Sequence, residues 1–187
     1  MNVFKTVVSQ ELADQVQAYV IGRFFDLPIV MMAEEPNKFA GILTNQWLEK
    51  TGHTKGWAEA QCHPREYEVS LVRDVLHSHG MDVASDDEVN LMVATNSEET
   101  MSFGASILVD EKGLETIRKQ AEEKQVDLYI LPSSVHEVLL IPAYEYIEAK
   151  ELADLVRKVN ATLRKEEVLS GHVYVYRLDS GKIELAA

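Results

Sequence analysis

The chain has 187 residues, 46% of them hydrophobic and 26% charged, with a formal net charge of −13 and a single cysteine. This length allows one domain or two small lobes around a true hydrophobic core, and the composition excludes a disordered or fibrous protein. The lone Cys62 excludes an intramolecular disulfide and a cysteine-rich zinc site. No signal sequence and no apolar run near the ~20 residues of a membrane span occur, so we predict a cytoplasmic protein without membrane contact.

From Ser9 to residue 43 the apolar pattern predicts one helix followed by a hairpin. Ser9 is a suitable N-cap, and apolar side chains then recur every three or four residues across 12–24, as in an amphipathic helix that Pro28 ends. Residues 29–33 and 39–43 are short apolar runs on either side of turn-forming residues. We therefore expect a β-hairpin after the first helix.

The next part of the chain predicts further helices and then two strands. Short helical patterns cover 46–50 and 55–61, and Pro64 is well placed to begin a longer helix running toward Gly80. Alternating apolar residues around Leu91 predict a strand, and residues 105–109 are typical of another.

Helices and strands are easier to separate in the C-terminal part. Residues 114–125 and 152–163 carry the apolar stripe of amphipathic helices. The runs 128–131 and 138–141 are too short for helices and predict paired central strands. An alternating segment at 173–176 turns back into 183–185 and predicts a late hairpin.

The predicted helices and strands alternate only partly along the chain, and short turns join neighbouring strands. We therefore predict an α+β fold with a mixed or mainly antiparallel sheet packed with helices, preceded by a helix-rich N-terminal region. The chain would form a single domain over 1–187. The alternative is two lobes, a helical region with a β-hairpin over 1–80 and a sheet lobe over 89–187.

The negative charge is concentrated in the middle of the sequence. Nine carboxylates and no Lys or Arg lie between Arg73 and Lys112, whereas each flanking part has only two more acidic than basic residues. A concentrated negative field repels nucleic acids and membranes and attracts basic partners. We predict that this region binds the basic surface of a partner protein through Asp82, Asp86, Asp87, Glu88, Glu98 and Glu99.

A second hypothesis places catalysis at Ser134, His136 and Glu137, because a serine nucleophile needs an imidazole base and a carboxylate that orients the imidazole. On a strand, Ser134 and His136 would share one face about 7 Å apart while Glu137 points to the other face. The sequence also has no Gly-x-Ser-x-Gly elbow. The pattern favours a hairpin in which these residues are structural, and it leaves a hydrolase as the alternative.

Metal and nucleotide chemistry have weaker support. His77 and His79 lie two positions apart, so on a helix their side chains would point about 200° from each other. Glu148 and Lys150 match the Glu-x-Lys element of metal-dependent nucleases, whose metal ions the acidic cluster would help to bind. The same tripeptide equally suits the start of a helix. Neither a glycine-rich phosphate loop nor a basic stripe occurs. We therefore expect no cofactor, no metal site and no direct nucleic-acid binding.

Residues 129–142, YILPSSVHEVLLIP, resemble the hallmark of an uncharacterised bacterial family, a domain of unknown function common in gut bacteria and their mobile elements. Residues 155–160 and 166–174 are similar to the C-terminal pattern of that family. The resemblance covers about 28–187 and concerns the later half of longer family members. It implies a shared fold and brings no activity, cofactor or catalytic residue.

The sequence therefore favours a non-catalytic protein-interaction module. Concentrated carboxylates could mimic the phosphates of DNA, and a small cytoplasmic protein of a mobile-element family would suit an inhibitor of a nucleic-acid-binding defence enzyme, as anti-CRISPR proteins are. The alternative is an enzyme, either a hydrolase that uses Ser134 and His136 or a metal-dependent nuclease that uses the acidic cluster.

Overall fold

The computed structural model describes residues 2–34, 41–80, 90–97, 103–132, 134–144, 146–165 and 167–187. Within these residues the chain forms ten strands, six α-helices and one 3₁₀ helix. All the strand pairings in its two sheets are antiparallel, and the predicted α+β fold is confirmed.

The first sheet contains four strands from the N-terminal part of the chain. They are β1 (Asn2–Val7), β2 (Val20–Phe24), β3 (Leu27–Glu34) and β4 (Gly41–Ile42). The long β3 is central, with β1 along one side and β2 and β4 sharing the other. Because β3 has neighbours on both sides, most of its apolar side chains are buried. The pairing of Met32 with Ile42 confirms the predicted β-hairpin.

The predicted helix-rich N-terminal region is wrong. Ser9 does cap a helix, through an Oγ that accepts the N–H of Leu12, but this helix, α1, covers only Gln10–Gln15. The chain then turns at Gln17, whose φ is 52°, and continues into β2, while Pro28 lies inside β3. The apolar residues of 12–24 therefore serve separate parts of the core: Leu12 packs on the first sheet, and Phe24 packs against the core beneath the second sheet.

Two short helices follow close to their predicted positions. They are α2 (Asn45–Thr51) and α3 (Lys55–Ala60). Thr44 and Thr54 are their N-caps, and each threonine hydroxyl accepts the backbone N–H of the third residue of its helix. Gly52 ends α2 in the left-handed conformation.

The predicted long helix after Pro64 is wrong. This segment forms β5 (Tyr67–Leu71) and then the short α4 (Val72–Ser78). Each residue of β5 is paired with a residue of the following strand, β6 (Met92–Asn96), so sheet pairing overrides the helix-starting preference of Pro64.

The second sheet has six strands in the order β10-β9-β7-β8-β6-β5. Besides β5 and β6 it contains β7 (Leu128–Leu131), β8 (Val138–Pro142), β9 (Tyr174–Arg177) and β10 (Lys182–Leu185). The predicted pairing of 128–131 with 138–141 is confirmed, and so is the late hairpin.

Helices cover both faces of this sheet. The 3₁₀ helix (Gly104–Leu108) and α5 (Glu111–Lys124) lie on one face, where Ile117 packs with Leu128 and Ile130. Helix α6 (Ala149–Asn160) lies on the other face, where Leu152 packs with Leu131. Alternate residues of β7 and β8 therefore enter different cores, which explains why both strands are apolar throughout.

Residues 105–109 do not form the predicted strand. Residues 105–108 belong to the 3₁₀ helix and Val109 is its C-cap. The five residues of this helix are all buried between the sheet and β1. A short run of apolar residues without periodicity fits either structure, and the surrounding contacts decide between them.

The two sheets share part of their core. Val7 and Leu27 of the first sheet pack in the same cluster as Ile117 and Leu128. Strand β5, which precedes residue 80, pairs with β6, which follows residue 89. The division into two lobes stays a prediction.

Candidate functional site

Ser134, His136 and Glu137 lie in the connection between β7 and β8. The Ser134 hydroxyl accepts the backbone N–H of His136 at 3.1 Å, and Nδ1 of the His136 ring accepts the backbone N–H of Phe103 at 3.4 Å. Glu137 is exposed to solvent. The serine and the imidazole are each bonded to the backbone, an arrangement that orders a turn rather than activating a nucleophile.

Close packing at Gly104 holds this connection in place. The backbone N–H of Gly104 donates to the carbonyl of His136 at 2.9 Å, and a Cβ at position 104 would lie 2.3 Å from the same oxygen. The β7–β8 connection is therefore anchored to the start of the 3₁₀ helix, which agrees with a structural role for Ser134 and His136.

The six carboxylates predicted to bind a partner lie outside the described residues. They are Asp82, Asp86, Asp87, Glu88, Glu98 and Glu99. Of the other acidic residues in that region, Asp74 and Glu111 are exposed and Asp110 is buried.

Asp110 caps helix α5. Its Oδ1 accepts the N–H groups of Lys112 and Gly113 at 2.9 and 3.3 Å, and its Oδ2 accepts the N–H of Arg65 at 3.0 Å. Asp110 is only 6% exposed, so its carboxylate holds the helix and the chain before β5 together and cannot contribute to a surface patch.

Arg65 is part of the same buried polar cluster. Its guanidinium lies 4.0 Å from the centre of the Phe4 ring, and its Nη2 is 3.6 Å from a carboxylate oxygen of Glu34. Nearby, the Tyr67 hydroxyl donates to Ser106 at 2.9 Å, and burial raises the pKa of Tyr67. These contacts tie the first sheet to the second.

The candidate metal and nuclease residues are separate from this cluster. Glu148 occupies the N-cap position of α6 and Lys150 lies in its first turn, so this tripeptide starts a helix. His77 lies within α4 and His79 is its C-cap. In the part of the chain that the structure describes, no group of three or more His, Cys, Asp or Glu side chains is placed to hold a metal ion.

A groove of about 560 Å³ opens where the two sheets meet. The turn between β2 and β3, one side of α5 and the β9–β10 hairpin form its walls, and most of the lining is apolar. Its lining includes Phe24, Phe25, Leu114, Arg118, Tyr176 and Ile183. Clefts of this size and character are where proteins bind small ligands.

Sequence reasoning did not find this groove, because its residues come from three distant segments. Tyr174 and Tyr176 belong to the alternating segment that predicts the late hairpin. Both side chains are buried, and β9 lies between β10 and β7 rather than at the sheet edge. The side chain of Tyr176 nevertheless lines the groove.

The fold is an α+β architecture in which helices cover both faces of the larger antiparallel sheet. The chain belongs to a family of unknown function, DUF5688, whose model matches residues 24–178. No curated protein and no solved structure shows a significant similarity to the chain. Among the described helices, none combines the length and the apolar character needed to cross a membrane.

Proposed function

We propose that the protein is a non-catalytic interaction module that binds a basic surface of a partner protein in the cytoplasm. The acidic region between Arg73 and Lys112 is the proposed binding element. The observation that carries the proposal is its charge, nine carboxylates without a Lys or Arg, in a chain whose flanking parts are nearly balanced.

The two basic residues that flank the acidic region each lie beside a carboxylate. Lys112, the first basic residue after the region, forms an ion pair with Glu66, a carboxylate from outside it. Arg73, the last basic residue before the region, has its Nε 3.5 Å from Asp74. Lys112 is therefore paired with a carboxylate outside the region, whereas Arg73 lies beside a carboxylate that belongs to it.

The carboxylates fall into two groups separated by β6. One group precedes this strand and the other follows it, and a five-residue strand is about 17 Å long. We expect a partner to gain binding energy from each group separately, since each is connected to a different end of β6.

The partner class that we propose is an enzyme that itself binds nucleic acid. Carboxylates can occupy a basic groove in place of phosphates, and their field accelerates association. An inhibitor of a nucleic-acid-handling defence enzyme, of the anti-CRISPR kind, would act in this way. Its binding should weaken steeply with salt because the contacts are electrostatic.

A pull-down with three versions of the protein tests this proposal. The first is the wild type, and the second carries D82N, D86N, D87N, E88Q, E98Q and E99Q. The third is a control that neutralises six exposed carboxylates elsewhere, with E11Q, D14N, E49Q, E123Q, E151Q and D179N. Each is immobilised and exposed to a bacterial host lysate at low and high salt.

We expect the wild type and the control to retain the same protein at low salt and the acidic-region variant to lose it. Duplex DNA should displace that protein from the wild type. Equal retention by the acidic-region variant, or retention that salt and DNA leave unchanged, would contradict the proposal.

The enzymatic alternative has its own assay. Generic esters, DNA and RNA are incubated with the protein, with and without magnesium or manganese. Turnover that Ser134→Ala or His136→Ala abolishes would establish a hydrolase. Nuclease activity that requires the metal ion and that Lys150→Ala abolishes would establish a metal-dependent nuclease. Turnover of either kind would refute the non-catalytic proposal.

A further inference from the structure

We propose that the groove between the β2–β3 turn, α5 and the β9–β10 hairpin binds a small apolar monoanion, an aryl or acyl carboxylate. The apolar body would lie against the aromatic and aliphatic walls, and the carboxylate would meet Tyr176 and Arg118. The proposal rests on three observations: an exposed aromatic residue in an unfavourable backbone conformation, a tyrosine hydroxyl beside the groove, and a cation at the rim.

Phe25 is the exposed aromatic residue. It lies in the β2–β3 turn with a φ of 51°, a left-handed conformation that glycine or asparagine adopts more easily than a bulky residue. Its side chain is 45% exposed, although its ring centre lies 4.9 Å from that of Tyr174. A large apolar side chain that is both exposed and held in a costly conformation suggests a function, here one wall of a ligand site.

Tyr176 supplies the hydroxyl. Its side chain lines the groove and the residue is only 4% exposed, and its hydroxyl oxygen lies close to Gly181, another lining residue, 3.7 Å from where a Cβ on that glycine would be. Burial raises the pKa of Tyr176, so at neutral pH the hydroxyl carries its proton and can donate to a carboxylate.

Arg118 supplies the positive charge at the rim. Its ion pairs within α5 are long, 3.9 Å to Glu115 and 3.8 Å to Glu122, and its side chain is half exposed. Such loose surface pairs are weak, so the guanidinium can turn toward a ligand at little cost.

The charge around the groove sets the class of ligand. Among the described residues that line the groove Arg118 is the one cation, and Glu115 and Glu122 lie 3.9 and 3.8 Å from it. One positive charge with two carboxylates beside it disfavours a polyphosphate and leaves room for a single negative charge at most. The apolar walls disfavour a sugar, because burying its hydroxyls without partners is costly. An aromatic or acyl body with one carboxylate satisfies both conditions.

This site is independent of the acidic region. The groove includes β9 and β10, at one edge of the second sheet, whereas the acidic region is connected to β6, next to the opposite edge. The absence of ligand binding in the groove would therefore not contradict partner binding by the acidic region, and the absence of partner binding would not contradict the ligand site.

Calorimetric titration with two matched probes tests the ligand class. Naphthoate carries the aromatic body and one carboxylate, and naphthalenemethanol carries the same body without charge. We expect saturable one-to-one binding of naphthoate that weakens at high salt, and weaker binding of the neutral alcohol.

Three variants locate the binding site. We expect Tyr176→Phe to weaken naphthoate binding about tenfold, since one hydrogen bond to a charged group is lost. Arg118→Gln should weaken naphthoate binding about threefold to tenfold and leave naphthalenemethanol unchanged. Phe25→Asn, which removes one wall but tolerates the left-handed backbone, should weaken both probes.

Matched controls exclude indirect effects. Lys119→Gln removes the neighbouring cation of α5, and Leu155→Ala removes an exposed apolar side chain of α6; both should bind naphthoate like the wild type. A thermal melt shows whether each variant is folded. If Phe25→Asn is unstable, Arg118→Gln still tests the proposal, because Arg118 lies on an exposed helix face and its substitution should not disturb folding. No saturable binding, or naphthoate binding that Tyr176→Phe and Arg118→Gln both leave unchanged, would overturn the proposal.

Discussion

At Asp110 the fold uses a carboxylate that belongs by sequence to the acidic region. The residue is buried, and its two oxygens accept three backbone N–H groups from two parts of the chain. Such a cap satisfies donors that the first turn of a helix cannot satisfy itself. The charge density of a segment therefore does not say which of its residues reach the surface.

Close packing at Gly113 gives a prediction at the residue scale. A Cβ at this position of α5 would lie 2.4 Å from the carbonyl oxygen and 2.5 Å from the Cα of Ile107. We expect Gly113→Ala to lower the free energy of unfolding by about 3 kcal/mol, because rigid backbone must move. Urea denaturation measures the loss.

Gly56 in α3 provides the matched control for this substitution. The nearest atom to a Cβ there is Oγ1 of Thr54, at 4.0 Å. Gly56→Ala should leave stability unchanged or raise it by up to about 1 kcal/mol, since alanine favours helix. Equal effects of the two substitutions would show that the contact with Ile107 is not rigid.

At the scale of single elements, prediction succeeded where one pattern determined the structure. The apolar patterns predicted α6, β7 and β8 correctly. In α6 one face is buried against the sheet, and in β7 and β8 both faces are buried, so the positions of the apolar residues reflect the structure directly. Prediction failed where one pattern fitted two structures. The helical spacing of 12–24 persists across the turn at Gln17, which separates a helix from a strand.

An ion-pair network connects β7 to the β9–β10 hairpin. Asp127, just before β7, accepts the N–H of Leu178 at 2.8 Å and pairs with Arg177 at 2.9 Å, and Arg177 also bonds Glu184 of β10. Burial acts to raise the pKa of Asp127, but the bonds from Leu178 and Arg177 outweigh it and lower the pKa below its usual value. The charged form of Asp127 therefore stabilises this side of the sheet.

We expect Asp127→Asn to destabilise the protein by about 1 kcal/mol at neutral pH. The pKa of Asp127 is lower in the folded protein than in the unfolded chain, where it is near 4. The stabilisation is therefore complete at pH values above the unfolded-state pKa and is lost as the pH falls through the folded-state pKa. The difference between wild type and variant should therefore shrink below about pH 4. Denaturant midpoints across pH measure it, with the exposed Asp179→Asn as a control for the removal of one negative charge near the same hairpin.

At the scale of the whole molecule, contacts between the sheets position the groove. The buried Tyr174 of β9 donates a hydrogen bond to Asp26 at 2.7 Å, and its ring packs against Phe24. These contacts fasten the β2–β3 turn to the second sheet. The orientation of Phe25 in that turn thus depends on a strand about 150 residues away along the chain.

The tyrosines predict how the whole molecule responds to alkali. Burial, together with a hydrogen bond to Glu59, raises the pKa of Tyr19 to about 12, and burial also raises the pKa of Tyr67, Tyr174 and Tyr176. The unfolded chain then loses these protons first, near pH 10, so stability should fall as pH rises from about 10. Urea denaturation at increasing pH, with tyrosinate absorbance recorded in parallel, checks this.

Tyr19→Phe is the informative variant for the alkaline prediction. It removes the group that donates to Glu59 at 2.5 Å, so its stability should decline less steeply between about pH 10 and 12 than that of the wild type. Identical pH profiles would show that Tyr19 ionises normally in the folded protein.

The sequence by itself determined the α+β class, the central hairpin of the second sheet, helices α5 and α6, and the uneven distribution of charge. These follow from local periodicity and composition, which neighbouring residues set. Only the tertiary structure decided that residues 20–24 are a strand, that Asp110 is buried and that Phe25, Arg118 and Tyr176 line one groove. Those outcomes depend on contacts between residues far apart in the chain, and no local pattern carries that information.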